Sequence, residues 1–415
     1  MNYIEGLGQK AQKAKKSLAT ASTGQKNEIL TQIAAKLLEH QEQILAENEK
    51  DIANARENGI SETMVDRLRL TPERIQGISD ACIELTNLED PVGEVIEGST
   101  RPNGMKITKI RVPMGVVGII YESRPNVTVD AASLCIKSGN AAILRGGKEA
   151  ICSNKVLMNT MREAVAQCGF PEDIVQLVED TSREVSTQMM QANGLIDVLI
   201  PRGGAGLIQA VVKNATLPVI ETGTGNCHIY VDATADLTMA VNITDNGKTQ
   251  RPSVCNALET CLVHKDVAEE FLPMLKAKLD EHQVEIRGCE RTAAILGDCV
   301  VPATEQDYAT EFLDYIISIK VVDSVEEAIA HVSRYSTGHS ECIVTESYAN
   351  ARKFQEEVDS ACVYVNCSTR FTDGGEFGLG AEIGISTQKL HARGPMGLKE
   401  LTTMKYLICG DGQIR

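Results

Sequence analysis

The cysteine at position 255 has the surroundings that point most clearly to chemistry. It follows a helical stretch that Pro252 ends, so its thiol is expected on a turn and not inside a regular element. Arg251 is near, and exposed backbone N–H groups on such a turn can stabilise a thiolate and an oxyanion. The chemistry that needs this arrangement is acyl transfer through a thioester. Because a buried cysteine is more often packing than nucleophile, a purely structural Cys255 remains the alternative.

A dense polar stretch at residues 366–375 follows an apolar segment and contains Arg370. A guanidinium can hold a carboxylate through two parallel hydrogen bonds, so this stretch is a candidate anion site. The alternative is a surface loop with a salt bridge. His331 and His339 bracket a second polar turn, where serine hydroxyls are close by. Most histidines in such turns are solvated or hydrogen-bonded structural residues, and that interpretation stays open.

Three glycine-rich turns come directly after predicted strands and begin at Arg145, Arg202 and Glu221. Ligands of parallel sheets bind at the carboxyl ends of the strands, so these turns are where a cofactor is expected. None of the turns matches the G-x-G-x-x-G fingerprint of dinucleotide-binding proteins. On turn chemistry alone, ordinary connections between strands and helices are the more common interpretation.

Composition is that of a globular protein, with 43% hydrophobic and 24% charged residues over 415 positions. This length predicts two or three domains. The net charge of −16 repels phosphate backbones and anionic lipid, which disfavours nucleic-acid and membrane-surface roles. Thirteen cysteines without a CxxC pair or zinc-type spacing indicate a reducing compartment, no disulfide framework and no metal site. We therefore expect a cytoplasmic protein with neither a membrane span nor a secretory signal.

Strands and helices alternate from Gly115 onward, which is typical of a parallel, doubly wound sheet. The strands predicted in this first α/β unit cover residues 116–121, 141–145, 174–178, 196–200 and 217–221. The helices predicted between them cover residues 128–138, 149–167, 182–192 and 204–214. A second α/β unit starts near Tyr230. Its predicted strands cover residues 257–264, 315–322, 341–344 and 361–366, and its predicted helices cover residues 235–249 and 266–282.

A β-hairpin is predicted where Asn103-Gly104 lies between two extended segments. Residues 105–112 alternate strictly between polar and apolar types, as a half-exposed strand should. The extended tail at residues 402–409 could pair with this hairpin. Because a long ribbon outside a core must be covered by something, we expect it at a subunit interface, and hence a homo-oligomer, either a dimer or a tetramer.

Several motifs taken together resemble the aldehyde dehydrogenase superfamily. In chain order they are Pro113-x-Gly-Val-Val-Gly118, Ser138-Gly-Asn140, Glu221-x-Gly, Cys255 and Glu311-Phe-Leu. Four longer stretches, at residues 121–128, 144–147, 248–256 and 322–343, resemble more narrowly the gamma-glutamyl phosphate reductase family. The resemblance runs essentially from end to end. It implies an aldehyde-dehydrogenase-like α/β fold, with two doubly wound parallel-sheet domains and a β-hairpin oligomerisation arm.

The same resemblance implies a division of the chain and an activity. We expect a cofactor-binding domain at residues 1–98 and 124–228 and a catalytic domain at residues 229–385. Residues 99–123 and 386–415 would form the oligomerisation hairpin and tail. The implied enzyme belongs to proline biosynthesis and reduces gamma-glutamyl phosphate with NADPH, giving glutamate 5-semialdehyde and phosphate through a cysteinyl thioester.

Individual residues take their expected roles from this resemblance. Cys255 occupies the position of the nucleophile, and Asn126 is similar to the asparagine whose amide completes the oxyanion hole. Glu311 takes the place of the glutamate that holds the nicotinamide ribose. Glu221 matches the position that activates water in hydrolytic relatives. Because this reaction needs no water, we expect Glu221 to be a spectator, a structural residue or a cofactor contact. The expected cofactor-binding set is Arg145, Lys148, Arg202, Gly203, Gly204, Glu221, Gly223 and Glu311.

Lys148 stands where the superfamily has an acid that would bind the ribose 2′-hydroxyl. A lysine there, beside Arg145, makes the site cationic and suits a 2′-phosphate, so we expect NADP(H) over NAD(H). For the substrate, Arg370 with the hydroxyls of Ser368 and Thr369 is the candidate for the carboxylate. The residue that grips the departing phosphate is either Arg251 or Arg124.

Other functions remain open at the level of sequence. One is a hydrolytic aldehyde dehydrogenase that oxidises a small aldehyde, which would turn over without phosphate. Another is a non-catalytic protein that only binds the preceding kinase of the pathway, and that glutamate 5-kinase is also a candidate partner of the enzyme. A CoA-acylating dehydrogenase is a third alternative, although the chain shows no added basic segment for the CoA phosphates.

Overall fold

The computed structural model describes residues 2–415, which form two compact units. The first unit comprises the chain up to Thr222 together with Gly378–Gly384 and Met396–Arg415. The second unit comprises Gly223–Phe377 and Ile385–Pro395. The assignment of one unit to a cofactor and the other to catalysis stays a prediction. Within the described range, no helix is both long enough and apolar enough to cross a membrane.

The first unit begins with a group of helices, and capping residues mark where several of them start. Ser22 accepts a bond from the Gln25 N–H, and the Gln25 side chain accepts one from the Ser22 N–H in return, a capping box. Thr71 caps a later helix that has Pro72 at its first position. The helices are α1 (Tyr3–Ala19), α2 (Thr23–Glu39), α3 (Gln41–Glu57), α4 (Glu62–Leu68) and α5 (Pro72–Asn87).

A parallel sheet with helices between its strands follows in the same unit. The elements in chain order are β1 (Val95–Thr100), β2 (Lys106–Pro113), β3 (Val116–Tyr121), α6 (Asn126–Lys137), β4 (Ala141–Arg145), α7 (Ile151–Gln167), β5 (Val175–Leu177), α8 (Arg183–Met190), β6 (Val198–Arg202) and α9 (Ala205–Asn214). The strands of the parallel sheet lie in the order β5-β4-β3-β6, and every pairing in it is parallel. All six residues of β3 are buried, as expected for an apolar run in a parallel sheet.

The strand predicted at residues 217–221 is wrong. In its place, Val219 makes a single isolated bridge to Leu199, where Leu199 N–H donates to the Pro218 carbonyl and Ile220 N–H donates to the Leu199 carbonyl. Pro218 has no N–H to donate, so the ladder stops after one bridge. Glu221 therefore lies on irregular chain and not at the end of a strand.

The second unit is built around a larger parallel sheet. The elements in chain order are β7 (Cys227–Val231), α10 (Leu237–Thr249), β8 (Leu258–His264), α11 (Lys265–Asp280), β9 (Glu285–Gly288), α12 (Glu290–Leu296), β10 (Val301–Pro302), α13 (Glu305–Tyr308), β11 (Ile316–Val322), α14 (Val325–Tyr335), β12 (Ser340–Val344), α15 (Tyr348–Glu357), β13 (Cys362–Val365), β14 (Ile385–Ser386) and β15 (Gly394–Pro395). The strands of the sheet lie in the order β10-β9-β11-β8-β7-β12-β13, and the pairings in it are parallel.

Two short strands at one side of that sheet, β9 and the edge strand β10, were not predicted. They are four and two residues long, and Glu285 and Arg287 give β9 no apolar run. The central strands are covered by α10 and α11, whose apolar side chains pack in one buried cluster with residues of β7, β8 and β11. Strands that alternate with covering helices confirm the predicted α/β fold with two parallel sheets.

The predicted hairpin is present, and its turn spans three residues. Arg101 N–H donates to the Met105 carbonyl at 2.8 Å, and Gly104 N–H donates to the Arg101 carbonyl at 2.9 Å. Gly104 has φ +88°, a conformation that a residue without Cβ adopts cheaply. The tail forms β16 (Thr402–Cys409) and pairs antiparallel with β2 from Thr402 to Cys409, so the predicted pairing of tail and hairpin is confirmed. The role of this sheet in oligomerisation stays a prediction.

Candidate active site

Cys255 lies on the irregular chain between α10 and β8, as the sequence predicts. We name residues 250–257 the cysteine turn. It begins after Thr249, the last residue of α10, and it closes where Ala257 N–H donates to the Val254 carbonyl at 3.0 Å. Cys255 itself is half-buried, so the residue is open to solvent on one side and packed on the other. A nucleophilic thiol needs this combination of access and support.

The chain around Gly225 supports Cys255 from behind. A Cβ placed on Gly225 would overlap the carbonyl group of Cys255 and would lie 2.7 Å from its Cα, so only glycine fits here. The Cys227 thiol donates to the same Cys255 carbonyl at 3.2 Å. The backbone of Cys255 is therefore fixed by direct contact with residues 225–227.

Glu311 holds this support in place. Its Oε1 accepts a hydrogen bond from the Gly225 N–H at 2.7 Å. Burial raises the pKa of the Glu311 carboxyl, and the bond from Gly225 lowers it by a smaller amount. The residue that the resemblance assigns to the nicotinamide ribose thus also contacts the segment behind Cys255.

The cysteine turn is also tied to the polar stretch at residues 366–375. Asn256 Nδ2 donates to the carbonyls of Thr372 at 2.8 Å and Arg370 at 3.2 Å. In return, the Thr369 hydroxyl donates to the Asn256 carbonyl at 2.8 Å, and Ser368 Oγ accepts from the Arg370 N–H at 3.3 Å. The structure therefore brings Ser368, Thr369 and Arg370 next to the cysteine turn, with both hydroxyls bonded to main chain.

Two arginines and the thiol lie within electrostatic reach of one another. Arg370 Nε donates to the Gln250 side chain at 2.9 Å. Burial lowers the pKa of the Arg370 guanidinium, and the positive charge of Arg251 lowers it further, while the negative charge of Asp373 and, by a smaller amount, that of Cys255 act in the opposite direction. Two guanidiniums that repel each other would both be stabilised by an anion bound between them.

The two residues of one buried ion pair flank the cysteine turn in the chain. Lys248, on α10, donates from Nζ to Glu259 Oε2, on β8, at 2.6 Å, and neither side chain is exposed. Glu259 Oε1 accepts from the Leu313 N–H at 3.2 Å. Burial raises the pKa of the Glu259 carboxyl and lowers the pKa of the Lys248 ammonium, while the charge of each partner opposes the shift of the other. The sequence analysis did not single out this pair, although both residues flank Cys255 at short range.

The residues predicted around Asn126 belong to the first unit. Asn126 is the first residue of α6, and its Nδ2 donates to Asp130 Oδ2 at 2.9 Å. Burial raises the pKa of Asp130 to about 6, and the bond from Asn126 opposes this rise. Arg124 lies in the turn before the helix, where its N–H donates to the Glu122 carbonyl at 2.8 Å. The side-chain amide of Asn126 therefore has a carboxylate partner within its own unit.

The predicted cofactor residues of the first unit lie in two turns at the carboxyl ends of β4 and β6. We name residues 145–148 and 202–204 the glycine turns. Arg145 Nη2 donates to the carbonyls of Thr181 and Ser182 at 3.0 and 3.2 Å, whereas its Nε is buried and has no acceptor. Arg202 Nη1 is likewise buried without an acceptor. Each of these buried donors lacks the partner that such a group normally has.

The other members of the predicted cofactor set differ in their surroundings. Lys148 is exposed. Gly204 precedes α9, and its N–H donates to Glu122 Oε1 at 2.6 Å, while Gly203 packs against the same side chain. Gly223 belongs to the second unit, where its N–H donates to the Ile385 carbonyl at 2.7 Å. Within residues 2–415, no group of three or more His, Cys, Asp or Glu side chains is arranged to hold a metal ion.

Comparison with known proteins gives matches over essentially the whole chain. A family model described as "Aldehyde dehydrogenase family" matches residues 3–297 and 300–407. Gamma-glutamyl phosphate reductases of Clostridium botulinum and Carboxydothermus hydrogenoformans are each 58% identical to the chain over 415 residues, covering 100% of both proteins. The crystal structure of gamma-glutamyl phosphate reductase from Thermotoga maritima is 52% identical, with a TM-score of 0.98 over 100% of both chains. The similarity therefore includes both units.

Proposed function

The chain belongs to the aldehyde dehydrogenase family, and on this premise we propose that it reduces gamma-glutamyl phosphate to glutamate 5-semialdehyde and phosphate in proline biosynthesis. We propose NADPH as the reductant and Cys255 as the nucleophile. The full-length relatives that bear the name of this activity support the reaction. The turn that carries Cys255 supports the mechanism.

The observation that carries the proposal is the half-buried Cys255 with two guanidiniums in electrostatic reach. The thiolate attacks the γ-carbonyl carbon of the acyl phosphate, a C–S bond forms, and the C–O bond to phosphate breaks. Positive charge from Arg251 and Arg370 stabilises both the thiolate and the departing phosphate. The product of this step is a γ-glutamyl thioester on Cys255.

A nicotinamide cofactor is the one used by the aldehyde dehydrogenase family, and when bound it supplies the hydride that reduces the thioester to a thiohemiacetal. The thiohemiacetal then collapses, the C–S bond breaks, and the aldehyde leaves with Cys255 restored as a thiolate. Throughout this sequence the chain must exclude water, because a hydrolysed thioester would waste the activated substrate. A side-chain amide such as that of Asn126 would stabilise the oxyanion in both steps.

The glycine turns have the chemistry that a phosphorylated dinucleotide needs. Arg145 Nε and Arg202 Nη1 are buried donors without acceptors, and the exposed Lys148 adds a charge beside Arg145. These residues would hold the phosphates, and the cationic pair of Arg145 and Lys148 suits a 2′-phosphate. We therefore propose NADPH over NADH. Glu221 has no assigned step and is proposed as a structural or cofactor-contacting residue.

The substrate carries a carboxylate and an amino group at the end remote from the reacting carbon. Arg370, half-buried beside the cysteine turn, is proposed to bind the carboxylate, with Ser368 and Thr369 shaping its loop. Arg251 or Arg124 is proposed to grip the phosphate.

The sheet of β1, β2 and β16 supports the proposal of a homo-oligomer. Val95, Met404, Tyr406 and Ile408 are between 53% and 63% exposed, so apolar side chains line strands with free edges. Exposed edges and apolar side chains of this kind are normally covered in the native assembly. We propose that a second copy of the chain covers them, as a dimer or tetramer in the cytoplasm.

The test of this function is oxidation of glutamate 5-semialdehyde by NADP⁺ with and without phosphate. Wild type should require phosphate, and Cys255→Ala should lose at least about a thousandfold in kcat, the scale expected when a nucleophile is removed. Cys299→Ala changes an exposed cysteine and serves as the matched control. Turnover without phosphate would instead indicate a hydrolytic aldehyde dehydrogenase, and activity that survives Cys255→Ala would refute the mechanism.

A further inference from the structure

The segment Thr224–Asn226 is the part of the chain that determines where Cys255 can lie. Gly225 packs so closely on the Cys255 backbone that a single methyl group on it would overlap the Cys255 carbonyl. A shift of this segment toward the cysteine turn would push Cys255 forward, and a shift away would leave it unsupported. The groups that hold the segment therefore act on the position of the thiol.

One hydroxyl group bonds to the main chain on both sides of Gly225. Thr337 Oγ1 donates to the Thr224 carbonyl and accepts from the Asn226 N–H at 3.0 Å. Asn226 adds to this hold, because its Nδ2 donates to the carbonyls of Tyr308 and Tyr335, each at 2.8 Å.

The turn that presents Thr337 is itself firmly held. Ser336 Oγ donates to Glu341 Oε1 and accepts from the Gly338 N–H at 2.8 Å. Glu341 is fully buried on β12, and its Oε2 accepts from the His228 N–H at 2.8 Å. This accounts for the polar turn between His331 and His339, for which the proposed reaction has no direct use. The turn connects α14 to β12 and places the Thr337 hydroxyl against the segment behind Cys255.

We infer that Thr337 is a positioning residue for the nucleophile. Its hydroxyl fixes Thr224 and Asn226, these fix Gly225, and Gly225 sets the Cys255 backbone in the place from which the thiol attacks. Thr337 has no contact with the reacting atoms in this scheme and acts through the segment alone. The inference deepens the proposed function and rests on Cys255 being the nucleophile.

The experiment compares Thr337→Val, Thr337→Ser and Thr292→Val in the full-length protein. Thr337→Val keeps the shape and removes both bonds, so kcat should fall between about tenfold and a hundredfold while KM for either substrate stays within twofold. Thr337→Ser keeps the hydroxyl and should restore kcat. Thr292 is a fully buried threonine of the same unit whose hydroxyl bonds to the Ile319 carbonyl, so Thr292→Val controls for loss of a buried hydroxyl.

A second readout does not depend on turnover. The rate at which iodoacetamide alkylates Cys255, measured by peptide mass in the absence of substrate and cofactor, should change at least fivefold in Thr337→Val and remain unchanged in Thr292→Val. A purely structural role would lower the melting temperature without this change. The inference is overturned if Thr337→Val keeps the wild-type kcat and alkylation rate, or if Thr337→Ser fails to restore them.

The outcomes separate this inference from the proposed function. If Cys255→Ala remains active, the nucleophile is wrong and so is any positioning residue for it. If Cys255→Ala is inactive while Thr337→Val matches wild type in both readouts, the proposed function stands and only the role of Thr337 is refuted.

Discussion

The cysteine turn of the second unit and the glycine turns of the first unit differ in which buried polar atoms lack a hydrogen-bond partner: an acceptor, Asn256 Oδ1, in the cysteine turn and two guanidinium donors in the glycine turns. Around Cys255, side chains bond to main chain: Glu311 to Gly225, Asn256 to the loop of Arg370. In the glycine turns, Arg145 and Arg202 each keep one buried donor without an acceptor. A reacting atom needs a fixed frame, whereas an anion-binding surface keeps donors that its ligand will satisfy. Stability should therefore depend on the first region and ligand affinity on the second.

Among the predictions, the largest effect is a loss of stability when the buried ion pair beside the cysteine turn is broken. Lys248→Met leaves the Glu259 carboxylate buried and unpaired, so the free energy of unfolding should fall by about 3 to 5 kcal/mol. The control is Lys265→Met, which removes a half-exposed ion pair with Asp323 and should cost about 1 kcal/mol or less. Urea unfolding of both variants measures the difference. Equal costs would show that the pair does not support the turn.

The next largest effect is expected from His331 on α14, which should make stability depend on pH. Burial lowers the pKa of His331 to about 2, below the value near 6.5 of an unfolded chain. The unfolded state therefore binds the proton first, and stability is lost as pH falls below 6.5, with a slope of about 1.4 kcal/mol per pH unit from this residue. His331→Phe should remove that slope between pH 6 and 4, while the exposed control His282→Phe should keep it. Urea unfolding at each pH gives the slopes, and equal slopes in His331→Phe and wild type would contradict the prediction.

In the glycine turns, Lys148→Gln should change ligand choice and leave stability alone. The side chain is exposed, so no buried contact is lost. The ratio of kcat/KM with NADPH to kcat/KM with NADH should fall about tenfold, equivalent to about 1.4 kcal/mol of binding. Lys155→Gln, another lysine of the first unit that pairs with Glu179, should leave the ratio unchanged. If Lys148→Gln left the ratio of the two kcat/KM values unaltered, this turn would not contact the 2′-phosphate.

The smallest effect is expected at Glu221. The proposed reaction has no step that activates water, so Glu221→Gln should keep reductive turnover within about tenfold of wild type. Steady-state kinetics with NADPH measures this directly. A loss greater than about a hundredfold, the size of a general-base effect, would give Glu221 a role in catalysis and move part of the chemistry away from the cysteine turn.

Much of the fold follows from short-range patterns in the sequence. The apolar runs of β3 and β4 and the tail strand β16 were predicted with their observed bounds, because alternation and apolar runs are local signals. The strand at residues 217–221 failed because one proline outweighs a locally apolar pattern. The strands β9 and β10 at one side of the larger sheet were missed because charged or very short segments can pair once the neighbouring strand is in place.

The candidate site shows a similar division. The turn at Cys255 was predicted from Pro252, and the neighbouring stretch with Arg370 was predicted from its polar residues. Among the neighbours of this turn, only Glu311 was assigned through the resemblance. Two features of the site could not be predicted: the ion pair of Lys248 and Glu259, and the two hydrogen bonds of Thr337 to the segment around Gly225. Both join residues that are distant in sequence or lie on different elements. Only the tertiary structure brings such partners together.

The most direct measurement of the central claim is the mass of the peptide that contains Cys255 after reaction with glutamate 5-semialdehyde and NADP⁺ in the absence of phosphate. The account predicts that a γ-glutamyl group accumulates on Cys255 and is released when phosphate is added. Full oxidation of the aldehyde with no acyl group on Cys255, or with the acyl group on another residue, would contradict it.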